Sequence, residues 1–244
     1  MTTSLLPFTA LILVGGLGTR LREVVSDKPK PMAMVGTVPF LEILIDSLSG
    51  KGVRNFVLLT GYKGKVIEEY FSNRYRDELN IRISPEQEPL GTGGAVKNAE
   101  QFCTEPSLLV NGDTFFDADL ELLFRFHQEK QSSVSLSLFT VDDVSRYGSV
   151  IAGENGLITG FHEKNEGPGG AGVINAGLTL LSREFVRDLP AGRSFSMERE
   201  IFPWFARSEK MFGLAQDRPF FDIGTPESYE AFRVFCAGQD KGGR

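Results

Sequence analysis

Short apolar runs alternate with helical patterns over the first half of the chain. Phe8 to Val14 is a continuous apolar run that ends in glycines, as in a central strand of a parallel sheet. Pro39 opens a helical pattern that ends near Gly50. Further strands are predicted over Asn55 to Thr60, Ile81 to Ser84 and Ser107 to Asn111, and further helices over Lys63 to Phe71 and Ala95 to Phe102. This alternation predicts a mostly parallel sheet with helices on both faces.

The pattern changes after about residue 132, where strands follow one another with few helices between them. Strands are predicted over Ser133 to Val141, Ser149 to Ala152, Leu157 to Phe161 and Val173 to Leu181, and helices over Ser196 to Ala206 and Pro226 to Phe235. No internal repeat, low-complexity segment or linker divides the sequence. We therefore expect a single domain over residues 1–244 that changes in character near residue 115.

Composition narrows the possible partners. A net charge of −6 argues against a nucleic-acid-binding surface, although a few local cations would suffice to bind a nucleotide. The apolar run from Leu5 to Val14 has no basic residue before it and is read as a buried strand, not a signal peptide, and no stretch is long enough to span a membrane. The two cysteines, Cys103 and Cys236, do not form a disulfide framework and are expected to be buried thiols. We expect a cytoplasmic protein.

A run of glycines follows the first predicted strand. Gly15-Gly16-Leu17-Gly18-Thr19-Arg20 would let the backbone approach a phosphate closely, and Arg20 would add a bidentate cation. A tight turn without a ligand explains the glycines equally well. A dinucleotide-binding fingerprint fits poorly, since Leu21 stands at its third glycine and Thr60-Gly61 at its acidic position. The Gly-Lys-Ser/Thr of a P-loop is also missing from this run.

Three charged residues add candidate chemistry. Lys30 lies between prolines in Lys28-Pro29-Lys30-Pro31, which suits charge stabilisation at a phosphoryl centre, although a plain surface turn is the alternative. Asp113 ends a predicted strand, and Asp222 precedes the last predicted helix. If both lie at the carboxyl ends of the strands, they form a two-carboxylate Mg²⁺ site. Otherwise each aspartate caps a helix or stabilises a turn.

These residues resemble a known family. Gly15 to Leu21 followed by Pro29-Lys30-Pro31-Met32 is similar to the signature of the sugar-1-phosphate nucleotidyltransferases, and the resemblance extends over the whole chain. The family often has a proline soon after the arginine-leucine pair, whereas this chain has Arg22 to Val25, so we expect a sub-branch. The resemblance implies a Rossmann-like three-layer α/β/α fold with a mostly parallel, mixed central sheet and a smaller β-rich, sugar-binding portion. Residues 1–115 would form the nucleotide-binding half and residues 116–244 the sugar-phosphate-binding half.

The resemblance also implies roles for individual residues. Arg20 and Lys30 would flank the polyphosphate, and Asp113 and Asp222 would hold the catalytic Mg²⁺. The nucleotide would contact Gly15, Gly16, Gly18, Thr19, Glu86, Gly91 and Thr92. The sugar phosphate would contact Gly148, Glu163, Lys164 and Asn175, although Glu163-Lys164 taken alone is typical of a solvated charge pair. Neither histidine, His127 or His162, receives a role.

The expected substrates are a nucleoside triphosphate and a sugar 1-phosphate. Glu86 falls where thymidylyl- and uridylyltransferases commonly carry glutamine; a carboxylate only accepts hydrogen bonds and matches the two adjacent donors of guanine, so GTP is favoured. Three motifs, Glu88 to Gly94, Asn111 to Asp117 and Arg146 to Val150, look most like guanylyltransferases that act on a heptose 1-phosphate. Mannose or glucose 1-phosphate with another nucleotide remains an alternative, as does a catalytically silent regulatory subunit that binds nucleotide sugar. The resemblance is also compatible with a homodimer.

Overall fold

A nine-stranded mixed sheet lies at the centre of the protein. The computed structural model describes residues 5–16, 28–72, 74–75, 78–163 and 169–239. The strands in these residues are β1 (Thr9–Leu13), β2 (Met34–Val35), β3 (Val38–Pro39), β4 (Asn55–Thr60), β5 (Asn80–Pro85), β6 (Ser107–Asn111), β7 (Thr114–Phe116), β8 (Val134–Val141), β9 (Ser149–Ala152), β10 (Ile158–His162), β11 (Gly172–Leu181), β12 (Met211–Ala215) and β13 (Phe220–Asp222). The α-helices are α1 (Phe40–Gly50), α2 (Gly64–Phe71), α3 (Gly91–Asn98), α4 (Leu120–Glu129), α5 (Arg183–Asp188), α6 (Phe202–Phe205) and α7 (Pro226–Gln239).

Seven of the nine strands run in one direction, and β10 and β11 run against them. β1 pairs in parallel with β4 on one side and β6 on the other, β5 follows β4, and β12 pairs in parallel with β8. β11 is inserted antiparallel between β6 and β8. The β9–β10 hairpin joins the first half of β11 through the pair Ile174 and Ser149. The predicted mostly parallel, mixed sheet is therefore confirmed.

The order of strands places a crevice at the ends of β1 and β6. From β1 the chain builds β4 and β5 on one side, and it then crosses to β6 on the other side of β1. In open α/β sheets, ligands bind at such a reversal, outside the carboxyl ends of the strands. Gly15 and Gly16 follow β1 at this rim, and Asp113 follows β6. The topology thus brings two separate candidate segments to one edge of the sheet.

Helices cover both faces of the sheet, which gives the three layers. Alternate residues of β1 point to opposite faces, so Ala10 and Ile12 belong to one hydrophobic cluster and Leu11 to the other. The first cluster contains buried residues of α1, α2, α4 and α7, and the second those of α3, α5 and α6. Each cluster combines residues from before and after position 115, for example Phe8 with Phe232 in the first. The division into a nucleotide-binding and a sugar-phosphate-binding half stays a prediction about function.

Most predicted elements are confirmed, and the differences have physical causes. The helix predicted from Ala95 starts at Gly91, inside the segment read as a loop, because this glycine-rich turn is fixed by tertiary packing. α4, α5 and β12 lie where no element was assigned. α5 is only six residues long, and β12 exists through its pairing with β8. Cys103 is buried as expected, but Cys236 is half-buried. Within the described residues, no helix combines the length and apolar character required to cross a bilayer.

The glycines of α3 allow close packing on Phe195. The amide of Gly93 donates to the carbonyl oxygen of Phe195 at 3.0 Å, and the Phe195 amide donates to Leu90 O at 2.9 Å. A Cβ atom at Gly93 would lie 2.1 Å from Cε2 of the Phe195 ring. Because Phe195 is itself buried in the second cluster, its ring cannot move aside freely.

We expect Gly93→Ala to destabilise the protein by about 1–3 kcal/mol, since overpacking displaces the Phe195 ring. Gly50→Ala is the matched control: Gly50 ends α1, and a Cβ atom there would meet nothing within 4 Å. That control should be neutral or slightly stabilising because alanine favours the helix. The free energy of unfolding from urea titrations measures both effects, and equal values for the two variants would contradict this account of α3.

His127 is a buried histidine on the inner face of α4. Its Nδ1 lies 2.8 Å from the hydroxyl oxygen of Ser135 on β8. Burial lowers the pKa of His127 to about 4. The side chain belongs to the packing between helix and sheet, in agreement with the absence of a predicted role.

Protonation of His127 makes stability depend on pH. In the unfolded state, His127 has the ordinary histidine pKa of about 6.5, so on acidification it is protonated there before it is protonated in the folded state. The free energy of unfolding should therefore fall as the pH drops from 6.5 toward 4. His127→Gln, which is neutral throughout, should lose less stability over this interval. Urea titrations at pH 7.5, 6 and 5 measure the free energy of unfolding of the wild-type protein and of His127→Gln. Both proteins have the same carboxylates, so the difference between their pH dependences comes from His127. Parallel curves would show that His127 contributes nothing to the pH dependence.

Candidate active site

The strand ends at the rim approach each other closely. The amide of Gly112 donates to Leu13 O and the amide of Val14 donates to Leu59 O, each at 3.1 Å. A Cβ atom at Gly112 would lie 2.3 Å from Leu13 O, and one at Gly15 would lie 2.9 Å from Gly61 N. Packing between strands therefore requires Gly112 and Gly15.

Gly16 differs from these two glycines, since a Cβ atom there would meet nothing within 4 Å. Packing within the described residues does not explain that glycine, whereas the approach of a phosphate would. The predicted ligand-binding residues Gly18, Thr19 and Arg20 lie outside the described residues, as does Lys164.

Asp113 and Asp222 line the same cavity, which has a volume of about 180 Å³. β7 and β13 form a two-stranded antiparallel sheet in which Asp222 is opposite Thr114. The amide of Ile223 donates to the carbonyl oxygen of Asp113 at 2.9 Å. Two aspartates that are distant in sequence are thus joined through their backbones and face one cavity.

Lys30 is held against the first of these aspartates. Its Nζ donates to Oδ2 of Asp113 at 2.7 Å, and only 12% of its side chain is exposed. Lys30 begins a 3₁₀ turn between Pro29 and Pro31, both of which are buried. The prolines restrict the backbone on both sides, so the ammonium group is a positioned cation at the cavity and not a mobile surface charge.

Asp222 is fixed by contacts with both of its carboxylate oxygens. Oδ1 accepts from the amide of Gly224 at 2.7 Å, and Oδ2 accepts from the hydroxyl of Tyr147 at 2.7 Å. The guanidinium of Arg146 lies 3.5 Å from the same Oδ2. Burial and the Asp222 carboxylate raise the pKa of Tyr147, so the hydroxyl remains a donor. Glycine is required at position 224, because a Cβ atom there would lie 2.4 Å from Oδ1 of Asp222 and 3.8 Å from Nζ of Lys30.

The donor set fits a divalent cation that prefers oxygen ligands. In the part of the chain that the structure describes, no cluster of three or more His, Cys, Asp or Glu residues could enclose a metal. Asp113 and Asp222, which line one cavity, form the candidate pair, and substrate phosphates and water would complete the shell. Mg²⁺ is typically bound by one or two carboxylates together with phosphates.

Glu86 lies at the end of β5, near the glycine turn that follows β1. Its Oε2 accepts a hydrogen bond from the amide of Leu90 at 3.0 Å. The same oxygen lies close to Gly61, since a Cβ atom added to Gly61 would be 3.4 Å from it. Gly61 in turn packs on Gly15. Partial burial raises the pKa of Glu86, and the Leu90 hydrogen bond opposes that shift. A half-buried carboxylate is thus positioned beside the predicted phosphate-binding turn.

Gly91 and Thr92 begin α3, next to Glu86. Gly91 has a φ of +69°, a conformation that favours glycine. The hydroxyl of Thr92 donates to Oε2 of Glu198 at 2.6 Å and accepts from the amide of Met197 at 2.8 Å. The hydroxyl thus already has two partners within the protein, and the predicted contact of Thr92 with nucleotide stays a prediction.

The described residues predicted to bind the sugar phosphate, Gly148, Glu163 and Asn175, line the same cavity as the two aspartates. The amide of Asn175 donates to Gly148 O at 3.0 Å, which ties β11 to the start of β9. Oε2 of Glu163 forms an ion pair with Nε of Arg199 at 3.1 Å. One cavity therefore brings together Lys30, the two aspartates and the described residues predicted to contact the sugar.

Among the charged residues that line the cavity, sequence reasoning missed two, Arg146 and Glu198. Arg146 directly precedes Tyr147 in the motif Arg146 to Val150, so this motif could have identified it as a residue of the site. Glu198 lies in a π-helical turn, Met197–Ile201, inside a segment predicted only as helical. No periodicity distinguishes such a turn from an ordinary helix. His162 does not line the cavity.

The chain is similar to known proteins over most of its length. Residues 9–237 match the family model described as nucleotidyl transferase. The chain is 40% identical over 221 residues to a D-glycero-alpha-D-manno-heptose 1-phosphate guanylyltransferase of Aneurinibacillus thermoaerophilus, covering 90% of this chain and 94% of that protein. It is 36% identical over 223 residues to a mannose-1-phosphate guanylyltransferase of Mycobacterium tuberculosis, covering 90% of this chain and 62% of that protein.

A solved structure resembles the fold over nearly its whole length. The crystal structure of HddC from Yersinia pseudotuberculosis superimposes with a TM-score of 0.83 at 34% identity, covering 93% of this chain and 98% of that chain. A second structure of HddC, complexed with GMP-PN, superimposes with a TM-score of 0.79.

Proposed function

Because the chain belongs to the nucleotidyl transferase family, we propose that it transfers GMP from GTP to D-glycero-α-D-manno-heptose 1-phosphate and releases pyrophosphate. The observation that carries this proposal is one cavity that Lys30, Asp113, Asp222, Glu163 and Asn175 line together. Phosphoryl chemistry and sugar recognition both have suitable groups there.

The reaction requires positioning more than proton transfer. A sugar phosphate has a second pKa of about 6 and is largely dianionic near pH 7. One of its oxygens attacks the α-phosphorus of GTP; the new O–P bond forms while the bond from the α-phosphorus to the bridging oxygen breaks, and pyrophosphate leaves. No general base is needed, which fits a cavity without a histidine among its described lining residues. Lys30 contributes fixed positive charge where charge develops.

A divalent metal ion would complete the electrostatics of the site. We propose Mg²⁺ held by Asp113 and Asp222, where it would neutralise phosphate charge. Tyr147 and the Gly224 amide hold the Asp222 carboxylate in one orientation. Lys30 occupies one oxygen of Asp113, so the lysine and the metal would share this carboxylate between them.

The preference for guanine is assigned to Glu86. Its carboxylate accepts hydrogen bonds, and guanine presents two adjacent donors, whereas uracil and thymine present one between two acceptors. Support comes from similarity to two heptose 1-phosphate guanylyltransferases, at 40% and 39% identity. The second candidate substrate is mannose 1-phosphate, favoured by the similarity to mannose-1-phosphate guanylyltransferases.

We expect Asp113→Asn to lower Mg²⁺-dependent pyrophosphate release by at least about a hundredfold, because the metal loses a charged ligand. Asp217→Asn, an exposed position outside the cavity, is the matched control and should retain wild-type turnover. The measurement is pyrophosphate release over a matrix of nucleoside triphosphates and sugar 1-phosphates, with products identified by mass. Circular dichroism and thermal melting confirm that Asp113→Asn is folded.

Three results would count against the proposal. Unchanged turnover of Asp113→Asn would remove the metal assignment. If the wild-type protein bound nucleotide sugar but released no pyrophosphate with any pair, it would be the silent regulatory subunit. If the protein formed another nucleotide sugar faster than GDP-heptose, the substrates of that reaction would replace GTP and heptose 1-phosphate in the proposal.

We expect Glu86→Gln to lower kcat/KM for GTP by about tenfold or more, since a neutral amide matches only one of guanine's two donors. The same variant should raise turnover with UTP or dTTP, because the amide supplies a donor for a pyrimidine carbonyl. Glu88→Gln, at an exposed position in the same segment, is the control. A wild-type protein that used UTP or dTTP as readily as GTP would refute the role of Glu86.

A further inference from the structure

The π-helical turn Met197–Ile201 presents one side chain to the cavity. Ser196 caps the turn, since its hydroxyl accepts from the amide of Arg199 at 3.2 Å. The amide of Met197 donates to the hydroxyl of Thr92 at 2.8 Å, and the Met197 side chain is fully buried. Such wide turns are frequent at functional sites. The turn is therefore anchored on α3 and in the core, and its next residue, Glu198, lines the cavity.

Glu198 is held by hydroxyl groups and not by a cation. Its Oε2 accepts from Thr92 at 2.6 Å and from Ser196 at 3.0 Å. No ion pair involves Glu198 among the residues that the structure describes. Both of these hydrogen bonds use Oε2, so the carboxylate is oriented while Oε1 keeps its capacity to accept.

The other glutamate of the cavity has a different setting. Glu163 forms an ion pair with Arg199, which follows Glu198 on the same turn. The turn thus provides one carboxylate directly and restrains the other through its arginine. Glu163 and Glu198 both line the cavity, where their carboxylates would repel a phosphate but would accept hydrogen bonds from a polyol.

We infer that Glu198 binds a ring hydroxyl of the sugar 1-phosphate and helps to determine which sugar is accepted. The inference rests on the proposed function. Oε1 of Glu198 accepts the hydroxyl hydrogen, and the Thr92 and Ser196 hydroxyls keep the carboxylate oriented. A site built to hydrogen-bond a hydroxyl discriminates against sugars that lack it, because the half-buried acceptor then loses its partner.

The test is Glu198→Gln, which preserves size and an acceptor oxygen, with Glu200→Gln as the matched control on the same turn. Glu200 bonds to Arg193 and to the Ser196 amide and does not line the cavity. With GTP and heptose 1-phosphate, Glu198→Gln should raise KM for the sugar by about tenfold, which corresponds to about 1.4 kcal/mol. KM for GTP should stay within about twofold, and Glu200→Gln should keep both values.

Deoxy analogues separate hydroxyl recognition from a merely structural role. Mannose 1-phosphates lacking each ring hydroxyl in turn are tested with wild-type protein and Glu198→Gln. For one analogue, the wild-type kcat/KM should fall by about tenfold to the level of Glu198→Gln, so that the two proteins no longer differ. An equal effect of Glu198→Gln on every sugar, or no difference from Glu200→Gln, would overturn the inference. A wild-type protein without pyrophosphate release would instead refute the proposed function.

Discussion

The antiparallel pairing of β7 with β13 is the constraint on which the candidate site depends. The hydrogen bond from the Ile223 amide to Asp113 O joins a segment that leaves the central sheet to one that precedes the last helix. This pairing is what brings Asp222 to the end of β6. Two carboxylates side by side would offer a divalent cation two charged oxygen ligands, whereas one aspartate alone would offer one.

Aromatic packing supports this short pairing. Phe220 of β13 contacts the rings of Phe116, Phe139 and Tyr147, with centroid distances between 5.1 and 6.1 Å. Tyr147 then places its hydroxyl on Asp222. A two-stranded ribbon of three-residue strands has few hydrogen bonds of its own, so the rings contribute the burial that it lacks. Hydrophobic packing and the orientation of a charged group are thereby coupled through one tyrosine.

Positioned charge distinguishes the cavity from an ordinary surface cluster. Lys30 is mostly buried beside prolines, Asp222 has partners on both oxygens, and Glu198 is oriented by two hydroxyls. Groups that are already oriented need little reorganisation when charge moves during the reaction. Thr92 connects this side of the cavity to α3, whose glycines pack on Phe195. The glycine turn at the start of α3 and the π-helical turn that carries Glu198 therefore belong to one packed unit.

Local chemistry in the sequence determined most of the fold and part of the site. Apolar periodicity, together with prolines and glycines that begin or end an element, acts over a few residues. These local patterns predict the strand β1, the helix that follows Pro39 and the strand that precedes Asp113. Tertiary structure alone decided which distant residues meet: the Asp113–Asp222 pair, the ion pair of Glu163 with Arg199 and the hydroxyl bonds of Glu198. The start of α3 at Gly91 and the π-helical turn also arise from packing. Such contacts depend on where the chain returns in space, and no local pattern encodes that.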